Sequence, residues 1–320
     1  MKKIAFLSIL ILLCFSTCTI GDFDNGTSFA VPSGRVLVSF SVASDMRHYT
    51  GCNGNHFRGV CDSIAAGGKG AFMVSAGDVS PPMETFSIIQ SHLGRDYTWY
   101  PVVGNHEAES WWFMRWFRAF NEDGTALPNV VHAGPPGCEE TTYSFEYGNA
   151  HFVVLNVYYD GASDQATNGD VPDALHDWLV QDLDANAKPV VLVFGHEPAY
   201  PQPDAYTGRL RHKDDSLNAH PQNRDRFWQT LNTNGVTAYV CGHTHNYSAV
   251  RVTSDGSIDP SGTSGVWQID SGHARGTGDR STPSTYVMFW VVEDGSVWFS
   301  AYRLDAGSDD YLLAENRQIR

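Results

Sequence analysis

Five short apolar runs in this chain each end on a polar residue able to bind a metal, four of them through a glycine. Arg35–Ser44 is followed by Asp45, and Ala71–Ala76 by Gly77-Asp78. Thr98–Val103 leads into Gly104-Asn105-His106-Glu107, Pro189–Phe194 into Gly195-His196-Glu197, and Val236–Cys241 into Gly242-His243-Thr244-His245. Each run has strand length and is rich in Val, Phe or Tyr. In open α/β sheets, sites form where strands end at the carboxyl edge. Glycine lets the backbone turn sharply there. Neighbouring strands would therefore gather these side chains at one place, far apart though they are in sequence.

Helix-length segments lie between the runs: Phe57–Ala66, Met83–Leu93, Pro172–Ala185 and Asn223–Asn234. Alternating strand and helix patterns predict a layered α/β domain. Tyr143–Tyr147, Gly148-Asn149 and His151–Val157 read as a hairpin. After His245 the chain turns mostly to strands, ending in a pair joined at Asp294-Gly295. One domain over residues 30–306 accounts for the pattern.

The first residues read as a leader. Lys2 and Lys3 precede the apolar run Ile4–Phe15, too short to span a bilayer and suited to a signal peptide over residues 1–20. Cys18 is a candidate lipid-bearing residue, with simple cleavage nearby as the alternative. The expected location is exported: periplasmic, extracellular or lipid-anchored at the cell surface. No other apolar run is long enough to cross a membrane, so membrane attachment is expected only through such an anchor. Outside the leader, Cys52, Cys61, Cys138 and Cys241 allow three disulfide pairings, and the sequence does not choose among them. Cys52 and Cys61 could close a small ring, and Cys241 reads as a buried thiol. Lys plus Arg number 21 against 36 Asp plus Glu, a net charge of −15, which excludes a basic nucleic-acid-binding surface.

The polar strand ends are chemically coherent. Carboxylates, imidazoles and one amide carbonyl suit Zn, Mn or Fe. Two such ions about 3.5–4 Å apart can hold a phosphate and ionise a water near neutral pH. The ordered set Asp45, Gly77-Asp78, Gly104-Asn105-His106-Glu107, Gly195-His196 and Gly242-His243-Thr244-His245 resembles the motifs of calcineurin-like metallophosphoesterases, most closely those similar to purple acid phosphatases. The resemblance runs from about Val36 to Tyr247 and weakens in the β-rich tail.

That resemblance implies a four-layer αββα sandwich of two mixed β-sheets flanked by helices. It implies two transition-metal ions (Fe, Zn or Mn) and hydrolysis of a small phosphate mono- or diester. Asp78 would bridge the ions; Asn105, His196 and His243 would complete one shell, and Asp45 and His245 would bind the other ion. His106 would sit beside the phosphate as general acid or charge stabiliser.

Two departures stand out. The usual Asp-x-His is here Asp45-Met46-Arg47-His48. Arg47 is always protonated and cannot be a ligand. It suits a phosphate contact instead, and His48, one residue displaced, is the candidate replacement ligand. Pro81 stands where purple acid phosphatases carry tyrosine, so no purple colour is expected.

Competing hydrolase signatures are missing: no His-Glu-x-x-His and no Gly-x-Ser-x-Gly occurs. The remaining alternative is a secreted binding protein on a catalytically decayed scaffold of the same kind. His56, His92, His132, His151 and His176 read as structural, with His273 able to approach the site. Phe113, Trp116, Phe117 and Phe120 read as a core-facing helix, leaving Trp111 or Trp112 as pocket candidates. The long Pro198–Pro221 connection, with Tyr200, Tyr206, Arg209, Arg211, His212 and His220, is a candidate lid.

Overall fold

Residue-by-residue alternation of the strands decides how this chain packs. In the computed structural model, which describes residues 31–47, 55–122, 125–166, 168–274 and 282–320, the strands over Phe72–Ser75, Ala150–Val154, Val190–Phe194, Ala238–Cys241 and Thr285–Val292 are buried on both faces. The expected leader over 1–20 with Cys18, together with His48 and Cys52, lies outside the described residues.

In chain order the elements are β1 (Val36–Ala43), α1 (Asn55–Gly67), β2 (Phe72–Ser75), α2 (Pro82–Leu93), β3 (Thr98–Pro101), α3 (Asn105–Ala108) and α4 (Trp111–Phe120). Then come β4 (Val130–Ala133), β5 (Tyr143–Tyr147), β6 (Ala150–Val154), α5 (Asp173–Ala185), β7 (Val190–Phe194), α6 (Pro221–Thr233) and β8 (Ala238–Cys241). The tail holds β9 (Tyr247–Val252), β10 (Ile258–Asp259), β11 (Val266–Ser271), β12 (Thr285–Val292), β13 (Val297–Leu304) and β14 (Tyr311–Gln318).

Among the described residues these strands form two mixed sheets, ordered β14-β13-β12-β1-β2-β3 and β10-β9-β11-β8-β7-β6-β5-β4. One set of alternate residues meets between the sheets: Phe40, Phe72 and Phe289 from the first, Phe145, Phe152 and Phe194 from the second. Phe40 stacks on Phe72 at 5.0 Å and meets Phe152 edge-on at 5.3 Å. The opposite set, including Met73, Trp99, Val191, Val193 and Tyr239, packs outward under helices. Phe86 of α2 stacks on Trp99 at 5.6 Å, and Phe227 of α6 meets Tyr239 at 5.3 Å. The result is the expected four-layer αββα sandwich. β14 lies beyond the expected boundary at 306 and completes the first sheet by pairing with β13.

Strand direction positions the site. β1, β2 and β3 are mutually parallel neighbours, as are β6, β7 and β8. Parallel neighbours put their carboxyl ends on one edge. The two edges meet: His196, after β7, hydrogen-bonds the Ala76 carbonyl after β2 at 2.7 Å. Cys61, Cys138 and Cys241 are free, buried thiols. The ring considered between Cys52 and Cys61 involves Cys52, which lies outside the described residues.

Candidate metal centre

The turns that follow these strands force an unusual backbone. Asp45, Asp78, His243 and His245 have φ of 53°, 55°, 69° and 58°. A residue with a side chain enters this left-handed region at a cost of about 1–3 kcal/mol, and persists there only when its surroundings hold it. Those holds are present. Asp45 N–H donates to the Gly77 carbonyl at 3.0 Å, and Arg47 N–H to the Asp78 carbonyl at 3.0 Å. His243 N–H donates to Asp45 Oδ2 at 2.9 Å, so the first sheet's carboxylate pins the second sheet's turn. Thr244, between the two histidines, donates to the buried Asp270.

Side chains then converge. Ligand atoms of Asp45, Asp78 and His245 lie within 4.8 Å of one another, all three residues buried. His245 Nε2 is 3.2 Å from Asp45 Oδ1, and His196 Nε2 is 3.5 Å from Asp78 Oδ1. The His196 and His243 rings lie edge to face at 5.1 Å. Asn105 Oδ1, His196 Nε2 and His243 Nε2 are buried and make no hydrogen bond. Leaving one such atom unmade costs about 1–3 kcal/mol. In His196 the Nδ1–H is committed to Ala76, so Nε2 carries a lone pair. Three orphaned atoms on the three residues expected to share one ion fit a bound cation.

Electrostatics agree. Burial opposes a proton on His196, but the Asp78 and Asp45 carboxylates outweigh it and push its pKa up to about 9. A cation bound there would take the place of that proton. Burial, and the neighbouring His196, hold His243 well below the usual imidazole range, hence neutral and able to ligate. Burial and Asp78 push the Glu107 carboxyl upward. Glu107 Oε2 accepts from the N–H groups of Asp78 (3.0 Å) and Gly104 (2.9 Å), fixing the turn that carries Asn105.

Arg47 and His106 stand at the rim. An Arg47 guanidinium N–H meets His106 Nε2, which lies 3.6 Å from Asp78 Oδ2. The Pro198–Pro221 segment does enter the site. Arg211 bonds His245 Nδ1, and the His212 ring sits 4.3 Å from that of His243, with Asp215 at 2.8 Å on His212 Nδ1. His212, Asp215 and His243 form a second group with ligand spacing.

Asp215 and Glu109 were missed by the sequence reading. Glu109 touches both Asn105 and His106, and its place four and three residues after them was a legible helical signal. Trp111 and Trp112 form an exposed edge-to-face pair at the start of α4. His273 is buried, 5.9 Å from the His245 ring, and bonded to Thr282. His92, His132, His151 and His176 pair with Asp62, Asp182, Asp182 and Thr230, none of them a site residue.

Residues 48–247 match a family model described as calcineurin-like phosphoesterase. No curated protein sequence matches the chain. Among solved structures, one titled "Structure of PhoD" aligns with a TM-score of 0.58 at 13% identity, over 91% of this chain and 73% of that one. GAP50, titled as the anchor in the inner membrane complex of Plasmodium, aligns with a TM-score of 0.51 at 13% identity, over 88% and 89%. At such identities the likeness is one of fold.

Proposed function

Since the chain belongs to the calcineurin-like phosphoesterase family, we propose that it hydrolyses small phosphate mono- or diesters at a site for two transition-metal ions. The observation that carries this reading is the trio of orphaned acceptors on Asn105, His196 and His243, beside the Asp45–Asp78–His245 group. Asp78 faces both sets and would be the carboxylate shared between the two ions. Zn, Mn and Fe all suit these donors. Bound there, two divalent ions would supply Lewis acidity and a water ionised near neutral pH.

The chain's own residues do the rest. Arg47 and Arg211 present guanidinium groups from two sides, at His106 and at His245. Their planar forks match phosphate oxygens. Arg47 turning to the phosphate frees the His106 Nε2 lone pair to take up a solvent proton, which the resulting imidazolium passes to the leaving oxygen. His48 is the proposed extra ligand beside Asp45, and His48→Ala should weaken one ion only. The net charge of −15 disfavours long polyanions. The Lys2–Phe15 leader supports export, which the N-terminal mass of the mature chain would read.

The alternative, a binding protein on a decayed scaffold, draws on the altered first motif. Retention of the six ligand residues and His106 speaks against it. A panel of chromogenic mono- and diesters with Zn, Mn and Fe tests the proposal. Turnover that vanishes on chelation is expected; metal uptake without turnover of any ester would favour the alternative.

A further inference from the structure

We propose that Glu109 is a positioning residue, one carboxylate that aims both the Asn105 carbonyl oxygen and His106 Nε2 into the metal centre. The inference rests on the dinuclear reading above. Glu109 caps α3, its N–H donating to the Asn105 carbonyl at 2.8 Å. Residues three and four apart on a helical turn share a face, and here both pairs are used. Glu109 Oε1 accepts from Asn105 Nδ2 at 3.3 Å, and Oε2 lies 3.3 Å from His106 Nδ1.

A carboxylate only accepts. Asn105 must therefore turn its NH₂ outward to Glu109, which leaves Oδ1 facing the interior, where it is buried and unbonded. The same logic orders His106. A guanidinium only donates, so Nε2 accepts from Arg47 and the ring proton lies on Nδ1, facing Glu109. One side chain thus selects the amide orientation of a ligand and the tautomer of its catalytic neighbour. Glutamine would substitute only in part. Its single oxygen serves one partner, and its NH₂ would face a second donor. The Glu109 side chain is half exposed, so its truncation removes no core packing.

The test is calorimetric titration of the metal-free full chain with Mn²⁺, followed by steady-state kinetics on a chromogenic diester at saturating metal. Wild type should show two binding events. Glu109→Ala should weaken one by about 10–100-fold, the usual worth of an outer partner of a metal ligand, while leaving the other and the metal-free melting temperature unchanged. kcat should fall with KM little altered, and Glu109→Gln should lie between. Two wild-type affinities in Glu109→Ala, or equal loss of both with a lowered melting temperature, would overturn the positioning role alone. A wild-type chain that takes up no ion would overturn the dinuclear reading and this role together.

Discussion

Gly104 leaves no room for a side chain. A Cβ there would sit 2.2 Å from Asp78 N and 2.3 Å from Asp78 Oδ1. Gly77 is equally confined, with φ of +89° and a Cβ position 2.2 Å from His196 Nδ1. Gly77 and Gly104 thus let ligand residues approach each other. Around them, His106 and Arg47 touch one another but have separable tasks. His106→Ala removes no proposed ligand, so it should keep the metals and lose about 10²–10⁴-fold in rate, the usual value of acid–base help. Arg47→Ala should instead raise KM with little loss of metal. Metal titration beside steady-state kinetics on both variants separates them; unchanged turnover in His106→Ala would remove its role.

The element that the strand pattern left least defined is the segment between β7 and α6. It is tied down at Asp204, whose carboxylate accepts from the N–H groups of Thr207 (2.8 Å) and Tyr247 (2.9 Å) and from Arg303 of β13 (2.8 Å). Both partners of the ion pair are buried, with side chains 7% and 0% exposed. Burial opposes the Asp204 charge, but Thr207 and Arg303 outweigh it and hold its pKa below the usual carboxylate range. A depressed carboxyl stabilises the fold fully above the unfolded value of about 4 and loses that contribution as pH falls through the folded value. Arg303→Met should therefore cost about 3–5 kcal/mol at pH 7, by stranding a buried charge. It should also raise KM, since the same segment carries Arg211 and His212. Denaturant titrations of the two proteins should converge below about pH 4.

The strands, the four layers and Asp45, Asp78, Asn105, His196, His243 and His245 were legible because apolar runs and glycine turns are local signals. The seats of Arg211 and His212 were not, since they depend on a buried pair between residues 99 apart. β14 was overlooked because Leu312 and Leu313 are exposed and its sequence does not alternate as a buried strand's does.

At the scale of the whole molecule, the proposed ions draw on both sheets. Asp45, Asp78 and Asn105 follow strands of the six-stranded sheet, and His196, His243 and His245 follow strands of the eight-stranded one. Bound metal would thus cross-link the sandwich at one edge while the phenylalanine layer holds its interior. Ligands that bind only the folded state stabilise it by about 2.7 kcal/mol at a hundredfold excess over Kd. Chelation should therefore lower the melting temperature of wild type. It should do so far less in His196→Ala, which lacks a ligand from the second sheet.

The central claim is that these six strand-end residues hold two ions. Metal content per chain, by plasma mass spectrometry after reconstitution with Mn²⁺ and removal of excess, reads it directly. About two ions per wild-type chain and about one in Asn105→Ala are expected. Fewer than one ion in wild type, or an unchanged content in Asn105→Ala, would contradict the account.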